Sequence, residues 1–517
     1  METFASFSPR DVVVVDFIRK FFRLHRREGI VGIFLAVLLI GVVFANSASS
    51  RVLVKQSQFV PSFSVSPVAS DSSTWYCSLP QAKYFGKRSL SLVLTNTSKF
   101  SQTASIYIYS KNAKAKHLKM KIPGGSLRRF GMRGLYKSAT GVSADFTGGA
   151  DLVSLVASLP SSNVEGFCQP SPGPTWIVQG FNTVSASKGF LSIFNPFATD
   201  AIVDISFVTP TGPVDPGPLQ AVVVPAFSSI DVRLADWFQN TPAITASIQT
   251  RIGRIVAGGF EVRSDSKANG MVFASTTPEI FANTDFPLLV QTANQSVDLN
   301  LENLSSSQKN VLISIKTLSA QTTVKAPAIG HGAKVSTISE TVPPQSSLVV
   351  PLKAVASVPV GSFFFVRVHS NYTVAALATL AGSDLGPLNG YFIESGYGSY
   401  WPSWLSMLDI SPFGAKYNQL ALYYGGGQVV SARGSQTALF SKAFVDGQAP
   451  SSKQSGIDAN AGIGVVPSPS SVQLFPTTNS VGFPDLFTLR SSAPTEMALA
   501  YVTPEGSIIP IPSIPLD

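Results

Sequence analysis

Charge is the scarcest property of this chain. Only 13 % of its 517 residues are Asp, Glu, Lys or Arg, about half the roughly 25 % of an ordinary soluble domain. That excludes a charge-rich disordered protein, a long coiled coil and an ion-pair-laced helical bundle. Acids are scarcer than bases, 29 against 38, so the formal charge is +9. Four His and two Cys leave little material for a metal centre, which needs several such ligands converging. His117, His331 and His369 stand far apart without ligand spacing. There is no G-x-S-x-G elbow, Walker loop, HExxH or EF-hand loop. Glycine runs such as Gly425-Gly426-Gly427 precede no helical pattern and read as turns. No metal, no cofactor and no catalytic residue is therefore expected.

One long apolar run exists, and it comes early. Gly29 to Ala45 reads GIVGIFLAVLLIGVVFA, and the uncharged stretch extends to Ser50. About 20 helical residues span a bilayer core of ~30 Å, and a helix satisfies its own backbone polar groups in hydrocarbon. The spacing predicts a transmembrane helix over 29–47. Arg19, Lys20, Arg23, Arg26 and Arg27 precede it, opposed by Glu28 alone. Positive flanks stay cytoplasmic, so residues 1–28 are expected inside and everything after residue 50 outside. The competing reading is a cleaved signal peptide ending near Ala45-Asn46-Ser47; both export the remainder. Residues 11–27 also mix Phe17, Ile18, Phe21, Phe22 and Leu24 with basic residues, which suits either an interfacial helix or a plain topology signal.

Both cysteines fall on the exported side, Cys77 in TWYCSLP and Cys168 in EGFCQP. Two Cys in an oxidising compartment most simply form one disulfide. It would close one unit of the outer part.

That outer part reads as repeated β-units behind a Ser-rich spacer, 48–73. Runs such as SLSLVLTN (89–96), ASIYIYS (104–110), AIVDISFV (201–208) and FFFVRVHS (363–370) have strand length and strand composition. A pattern [VI]-P-x-x-S recurs at Ile122–Ser126, Val224–Ser228, Val342–Ser346 and Val466–Ser470, with Pro-to-Pro intervals of 102, 118 and 124. Upstream of it a strand ends in Asn96, Asn195 and Asn303 in three units, while LALYYGGG (420–427) takes that place in the fourth. Pro cannot donate to a central ladder and Ser bonds nearby backbone, so the pattern reads as a turn or sheet crossing. The period predicts an all-β architecture of tandem Ig-like β-sandwich repeats, since two facing sheets bury what one would expose. Propeller blades are shorter, about 40–50 residues. The expected units are 74–170, closed by the disulfide, 171–283, 284–397 and a divergent 398–517.

On Trp75-Tyr76-Cys77 and on Trp176, Phe194-Asn195-Pro196 and Val224-Pro225-Ala226-Phe227-Ser228, the outer segment resembles an uncharacterised family of membrane-anchored, exported actinobacterial proteins. The resemblance is good over 74–287, weaker over 288–397 and poor beyond. It implies an envelope location and carries no activity.

One local feature stands out. Nine cations lie between Lys111 and Lys137 without an acid. Of these, Lys114, Lys116, Lys119, Lys121, Arg128, Arg129 and Arg133 are the candidate contacts for an anionic surface, lipid or polymer. The bland reading is a solvated sheet edge, where Lys deters strand pairing. Nucleic acid is not expected outside the cell. Two functions fit: a non-enzymatic cell-envelope scaffold or interaction module binding a protein or polymer, and a glycan-binding or glycan-active accessory in envelope polysaccharide assembly. Phe dominates the aromatics, 35 against 13 Tyr and 5 Trp, which suggests core filling more than sugar platforms.

Overall fold

The computed structural model describes residues 72–516 apart from internal stretches, the longest being 80–88, 323–334, 383–390, 408–418, 435–470 and 477–485. The expected transmembrane helix 29–47, its flank Arg19, Lys20, Arg23, Arg26 and Arg27, and nearly all of the spacer lie outside the described residues. Among the described residues no helix is long and apolar enough to cross a membrane.

The described chain is almost all strand, arranged as four successive sheet pairs. The first holds β1 (Ser72–Ser78), β2 (Ser89–Asn96), β3 (Gln102–Ser110), β4 (Ala113–Ile122), β5 (Ser126–Gly131), β6 (Ala139–Thr147), β7 (Asp151–Leu159) and β8 (Ser162–Phe167). One sheet has the order β1-β6-β3-β4 and the other β5-β2-β7-β8. The second pair holds β9 (Thr175–Phe181), β10 (Ser187–Phe194), β11 (Ala201–Thr209), β12 (Gly212–Val214), β13 (Val222–Val224), β14 (Ser229–Arg233), β15 (Ile244–Ile252), β16 (Val256–Ser264), β17 (Asn269–Phe273) and β18 (Ser275–Thr277). Its sheets run β12-β11-β15-β9-β18, with β13 also on β11, and β14-β10-β16-β17. The third holds β19 (Asn283–Val290), β20 (Gln295–Asn303), β21 (Lys309–Thr322), β22 (Val335–Val342), β23 (Ser346–Pro351), β24 (Phe363–His369), β25 (Val374–Gly382) and β26 (Tyr391–Ser395). Here β19-β24-β21 with β22 faces β23-β20-β25-β26. The fourth holds β27 (Trp401–Met407), β28 (Gln419–Tyr424), β29 (Val429–Gly434), β30 (Ser471–Pro476), β31 (Leu486–Thr495), β32 (Met497–Val502), β33 (Ile508–Ile511) and β34 (Ser513–Leu516). It forms β30-β28-β32-β33, joined to the third pair through parallel β21–β30, and β29-β31-β27-β34.

With β12 and β13, which both pair with β11, taken together as a fourth strand and β18 as an added edge, the first three pairs share one plan: strands 1-6-3-4 in one sheet and 5-2-7-8 in the other. The immunoglobulin order differs. There the first strand lies beside the second and the seventh beside the sixth; here the first lies beside the sixth and the seventh beside the second. The reason is visible in strand chemistry. Second and seventh strands, such as SLSLVLTN and DLVSLVASL, carry few charges, are buried on both faces and belong together in a sheet covered on both sides. Third strands alternate, as in β3 and β11, and fit a sheet with one wet face.

The cover comes from the preceding pair. On the outer face of the second pair's β10 and β16, Phe190 and Phe260 stack with ring centroids 4.9 Å apart. Together with Val262 they belong to the core of the first pair. In the fourth pair Tyr423, Val472, Ala498, Ala500 and Val502 belong to the core of the third. The cores therefore run on from the first pair to the second and from the third to the fourth. Each fully buried Phe, Leu or Val adds roughly 1.5–3 kcal/mol of hydrophobic stabilisation. In the first pair, the disulfide Cys77–Cys168 joins the end of β1 to the residue after β8, tying one sheet to the other.

The recurrent Asn and the recurrent V-P-x-x-S form one device. Asn96, Asn195 and Asn303 are fully buried at the end of the second strand. Each Nδ2 donates to the carbonyl four residues on: Phe100 at 2.7 Å, Thr199 at 2.7 Å and Ser307 at 2.8 Å. Each also donates to the residue before the recurrent Pro: Ile122 at 3.1 Å, Val224 at 3.0 Å and Val342 at 3.2 Å. Each Oδ1 accepts from the backbone N–H two residues on: Ser98, Phe197 and Ser305. One side chain thus pins the turn between the second and third strands to the crossing between the fourth and fifth. The crossing needs a left-handed residue before its Ser, and Gly125, Phe227 and Gln345 take it at φ of 60°, 53° and 43°. Their N–H groups donate to Ser98, Phe197 and Ser305 carbonyls.

Replacing Asn195 by Ala should cost about 3 kcal/mol. It strands the buried Val224 carbonyl, the Thr199 carbonyl and the Phe197 N–H, each unmade bond costing roughly 1–3 kcal/mol before water compensates the exposed ones. The shift in denaturant midpoint measures this, and a loss below about 0.5 kcal/mol would show that the clamp is idle.

Candidate functional site

The basic segment folds into two edge strands. β4 ends the sheet β1-β6-β3-β4, and β5 ends the sheet β5-β2-β7-β8. The five-residue crossing Ile122–Ser126 joins them, so both lie on the same lateral edge of the first pair. Its Ser126 hydroxyl donates to Pro123 carbonyl at 2.8 Å. The edge is held down by apolar residues interleaved with the cations. Leu118, Met120, Leu127 and Phe130 pack on the core, leaving Lys114, Lys116, Lys119, Lys121, Arg128 and Arg129 exposed.

Register sorts these cations. Lys119 lies opposite Ser105 and Lys121 opposite Thr103, on the outer face; Lys116 lies opposite the buried Ile108, on the core-facing side. Lys119 and Lys121 therefore share a face, as two-residue spacing in a strand requires, whereas Lys116 reaches solvent beyond the core. None of the four β4 lysines makes an ion pair with a described carboxylate. Arg133 lies outside the described residues. Seven candidates were read from sequence as one stripe; the structure brings six of them to one edge spanning two sheets.

The histidines have structural partners. His117 stacks on Tyr107, its opposite neighbour, with centroids 4.6 Å apart and planes 9° from parallel. His369 Nδ1 lies 2.7 Å from Asn283 Oδ1, beside the Arg367–Asp285 ion pair at 2.7 and 2.6 Å. His331 lies outside the described residues. No group of three His, Cys, Asp or Glu able to hold a metal occurs among the described residues.

Three buried acids escaped the sequence reading. Glu261 accepts from the Asn182 N–H at 3.0 Å and from the Asn182 side chain at 2.9 Å. Glu302 accepts from Gln179 Nε2 at 2.6 Å. Glu165 on β8 lies near Ser154, on the face of the sheet β5-β2-β7-β8 that also carries Val93 and Thr95. Burial pushes its carboxyl up to about 8, opposed by Ser154 and the Arg129 charge. The available signal was a single acid inside a run otherwise free of charge, as in SNVEGF and LNLEN.

Comparison with known proteins adds the family. Residues 68–353 match a family of unknown function, DUF5719. The chain belongs to that family. The match takes in all three asparagine clamps and the basic edge, and ends after β23. No curated protein matches. Among solved structures, the Streptomyces avermitilis α-L-rhamnosidase complexed with L-rhamnose is 7 % identical over 65 % of this chain and 45 % of its own, with a TM-score of 0.13. Invasin, a bacterial integrin-binding protein, is 10 % identical over 81 % of this chain and 99 % of its own, with a TM-score of 0.09. The chain thus spans less than half the length of the rhamnosidase, and neither score marks a shared fold.

Glu165 makes stability fall with pH. Its folded carboxyl holds a proton to about 8 while the unfolded one releases it near 4.5. The unfolded state binds fewer protons between those values, so stability drops as pH rises through that window and levels off above it. Glu165→Gln should flatten part of the fall in melting temperature between pH 5 and 9; an unchanged fall would mean that the carboxyl is not held neutral.

Proposed function

We propose that this member of the DUF5719 family is a membrane-anchored, extracytoplasmic β-repeat protein, a non-enzymatic scaffold or interaction module of the cell envelope. In this reading the first sheet pair meets anionic envelope components through the edge formed by β4 and β5. The observation that carries it is the gathering of Lys114, Lys116, Lys119, Lys121, Arg128 and Arg129 on one lateral edge. Several cations beside a negative surface contribute about 1 kcal/mol each, and the free lysines give up no internal ion pair to do so. The disulfide suits an oxidising exterior. The apolar run 29–45 with its basic flank supports an anchor with the N-terminus inside.

The stacked cores support the scaffold role. A row of sandwiches with shared cores holds its surfaces at fixed spacing, as repeat proteins do. The glycan-directed alternative would draw on exposed aromatics. Those of the described residues, Phe100, Phe227, Trp237 and Tyr372, sit on four different connections and make no row along one strand.

Co-sedimentation with anionic vesicles tests the reading. The wild-type protein should bind at low salt and come off as salt rises, because the Debye length shrinks from ~10 Å at 0.1 M to ~3 Å at 1 M. Changing Lys114, Lys116, Lys119 and Lys121 together to Gln should weaken binding at least tenfold. Equal binding by both proteins, or binding indifferent to salt, would overturn it.

A further inference from the structure

Successive pairs meet through equivalent positions, and one position changes character along the chain. Counting from the clamp asparagines, Phe194 before Asn195 corresponds to Glu302 before Asn303. Counting from the opposed pairs Trp75–Ala144 and Trp176–Ile248, Ser78 corresponds to Gln179 and Gly141 to Thr245. Between the first and second pairs the position equivalent to Glu302 is hydrocarbon: the Phe194 ring fills the space where a Cβ on Gly141 would sit, 2.4 Å away. Between the second and third pairs the same place holds a carboxyl. Glu302 is fully buried there, with Oε2 accepting from Gln179 Nε2 at 2.6 Å. Its Oε1 and the Thr245 hydroxyl are also buried, with no other hydrogen-bond partner. Beside them the Ser347 hydroxyl donates to Ala243 carbonyl at 2.8 Å across the same joint.

No charge stands by to balance an ionised Glu302. β9 (TWIVQGF), β23 (SSLVVP) and β25 (VAALATLAG) carry no titratable or charged side chain. On β15 the single charged residue is Arg251, exposed and paired with Asp204 at 2.7 Å. Along β20 itself the same face carries Asp298, another acid. A protonated Glu302 fits this setting, because its O–H can satisfy Thr245 while Gln179 satisfies the other oxygen. An ionised one would keep the Gln179 and Thr245 donors but leave a charge without a counter-charge in a dry seam, which costs several kcal/mol.

We propose that the joint between the second and third sheet pairs is a proton-dependent hinge, sealed while Glu302 carries its proton and loosened when it ionises. The joint sealed by Phe194 on Gly141 has no carboxyl at that place; the phenol of Tyr109 beside Phe194 is raised above its ordinary 10 by burial, so this joint stays closed over the same range. Burial pushes the Glu302 carboxyl up to about 8, against the opposing pull of the Gln179 and Thr245 hydrogen bonds. The contribution of the Glu302 proton to the joint is therefore complete at acid pH, falls from about 4.5 upward, and is gone above about 8, where the stability levels off.

The test uses Ser347→Cys in the full chain, whose native cysteines are both in the disulfide, with and without Glu302→Gln. At pH 9 the Ser347→Cys thiol should be labelled at least tenfold faster when Glu302 is present than in the Glu302→Gln background. At pH 4.5, before the loss sets in, the two rates should agree within about twofold. Comparison at one pH cancels the thiol's own titration and the shared effect of Glu165. As a second measurement free of the added cysteine, the fall in melting temperature between pH 6.5 and 9 should be at least ~3 °C larger for wild type than for Glu302→Gln. Equal labelling at pH 9, or equal falls in melting temperature, would overturn the hinge.

Discussion

In the first three sheet pairs the second and seventh strands are buried on both faces along most of their length, and everything else in the architecture answers to that. A sheet of this kind is covered on one side by its own partner and needs a second cover on the other. The second and fourth pairs obtain it from the pair before: Phe190, Phe260 and Val262 merge with the first core, and Tyr423, Val472 and Ala500 with the third. The third pair meets the second through Glu302 and Ser347. Stacking is thus part of folding, and the sandwiches are not independent beads. Nearest-neighbour coupling of this sort is what gives repeat proteins their stiffness.

The buried asparagine solves a second problem. A chain that leaves the second strand must turn, and one that leaves the fourth must cross to the other sheet, and both events happen at the same end of the sandwich. Asn96, Asn195 and Asn303 satisfy carbonyls from both segments with one amide. Buried polar groups of this kind are costly unless every partner is in place, which makes the clamp specify the crossing as well as stabilise it. Glu302 shows the opposite design, a buried polar group with one oxygen conditional on a proton.

Much of this was legible in the residues. The Asn and the V-P-x-x-S were visible as separate repeats, because each has a local meaning: a turn cap and a proline that refuses a central ladder. That they are two halves of one hydrogen-bonded device was not, since 26 to 39 residues separate Asn Nδ2 from its second acceptor. Strands were legible from alternation, and the disulfide from two cysteines in an exported chain. The strand order was not: alternation tells which face is wet, and leaves open which neighbour an apolar strand takes. The doubly apolar runs such as VAALATLAG held the clue to stacking. The cations were legible as a run, yet register divides Lys116 from Lys119 and Lys121, and Arg128 and Arg129 lie on another sheet. Glu165 and Glu302 stayed hidden because an acid in a strand reads as solvent-facing, and only the fold shows which carboxyls it buries.

Hydrogen exchange on the full-length protein tests the stacked arrangement most directly. Amides exchange slowest where opening requires the largest loss of burial. The account predicts that the second and seventh strands, 89–96, 151–159, 187–194, 256–264, 295–303 and 374–382, are the most protected segments. They should outlast the third and fourth strands of the same pairs, 102–122, 201–214 with 222–224, and 309–322 with 335–342. Protection that is uniform within each pair, or greatest in the alternating strands, would contradict it and return the pairs to independent sandwiches.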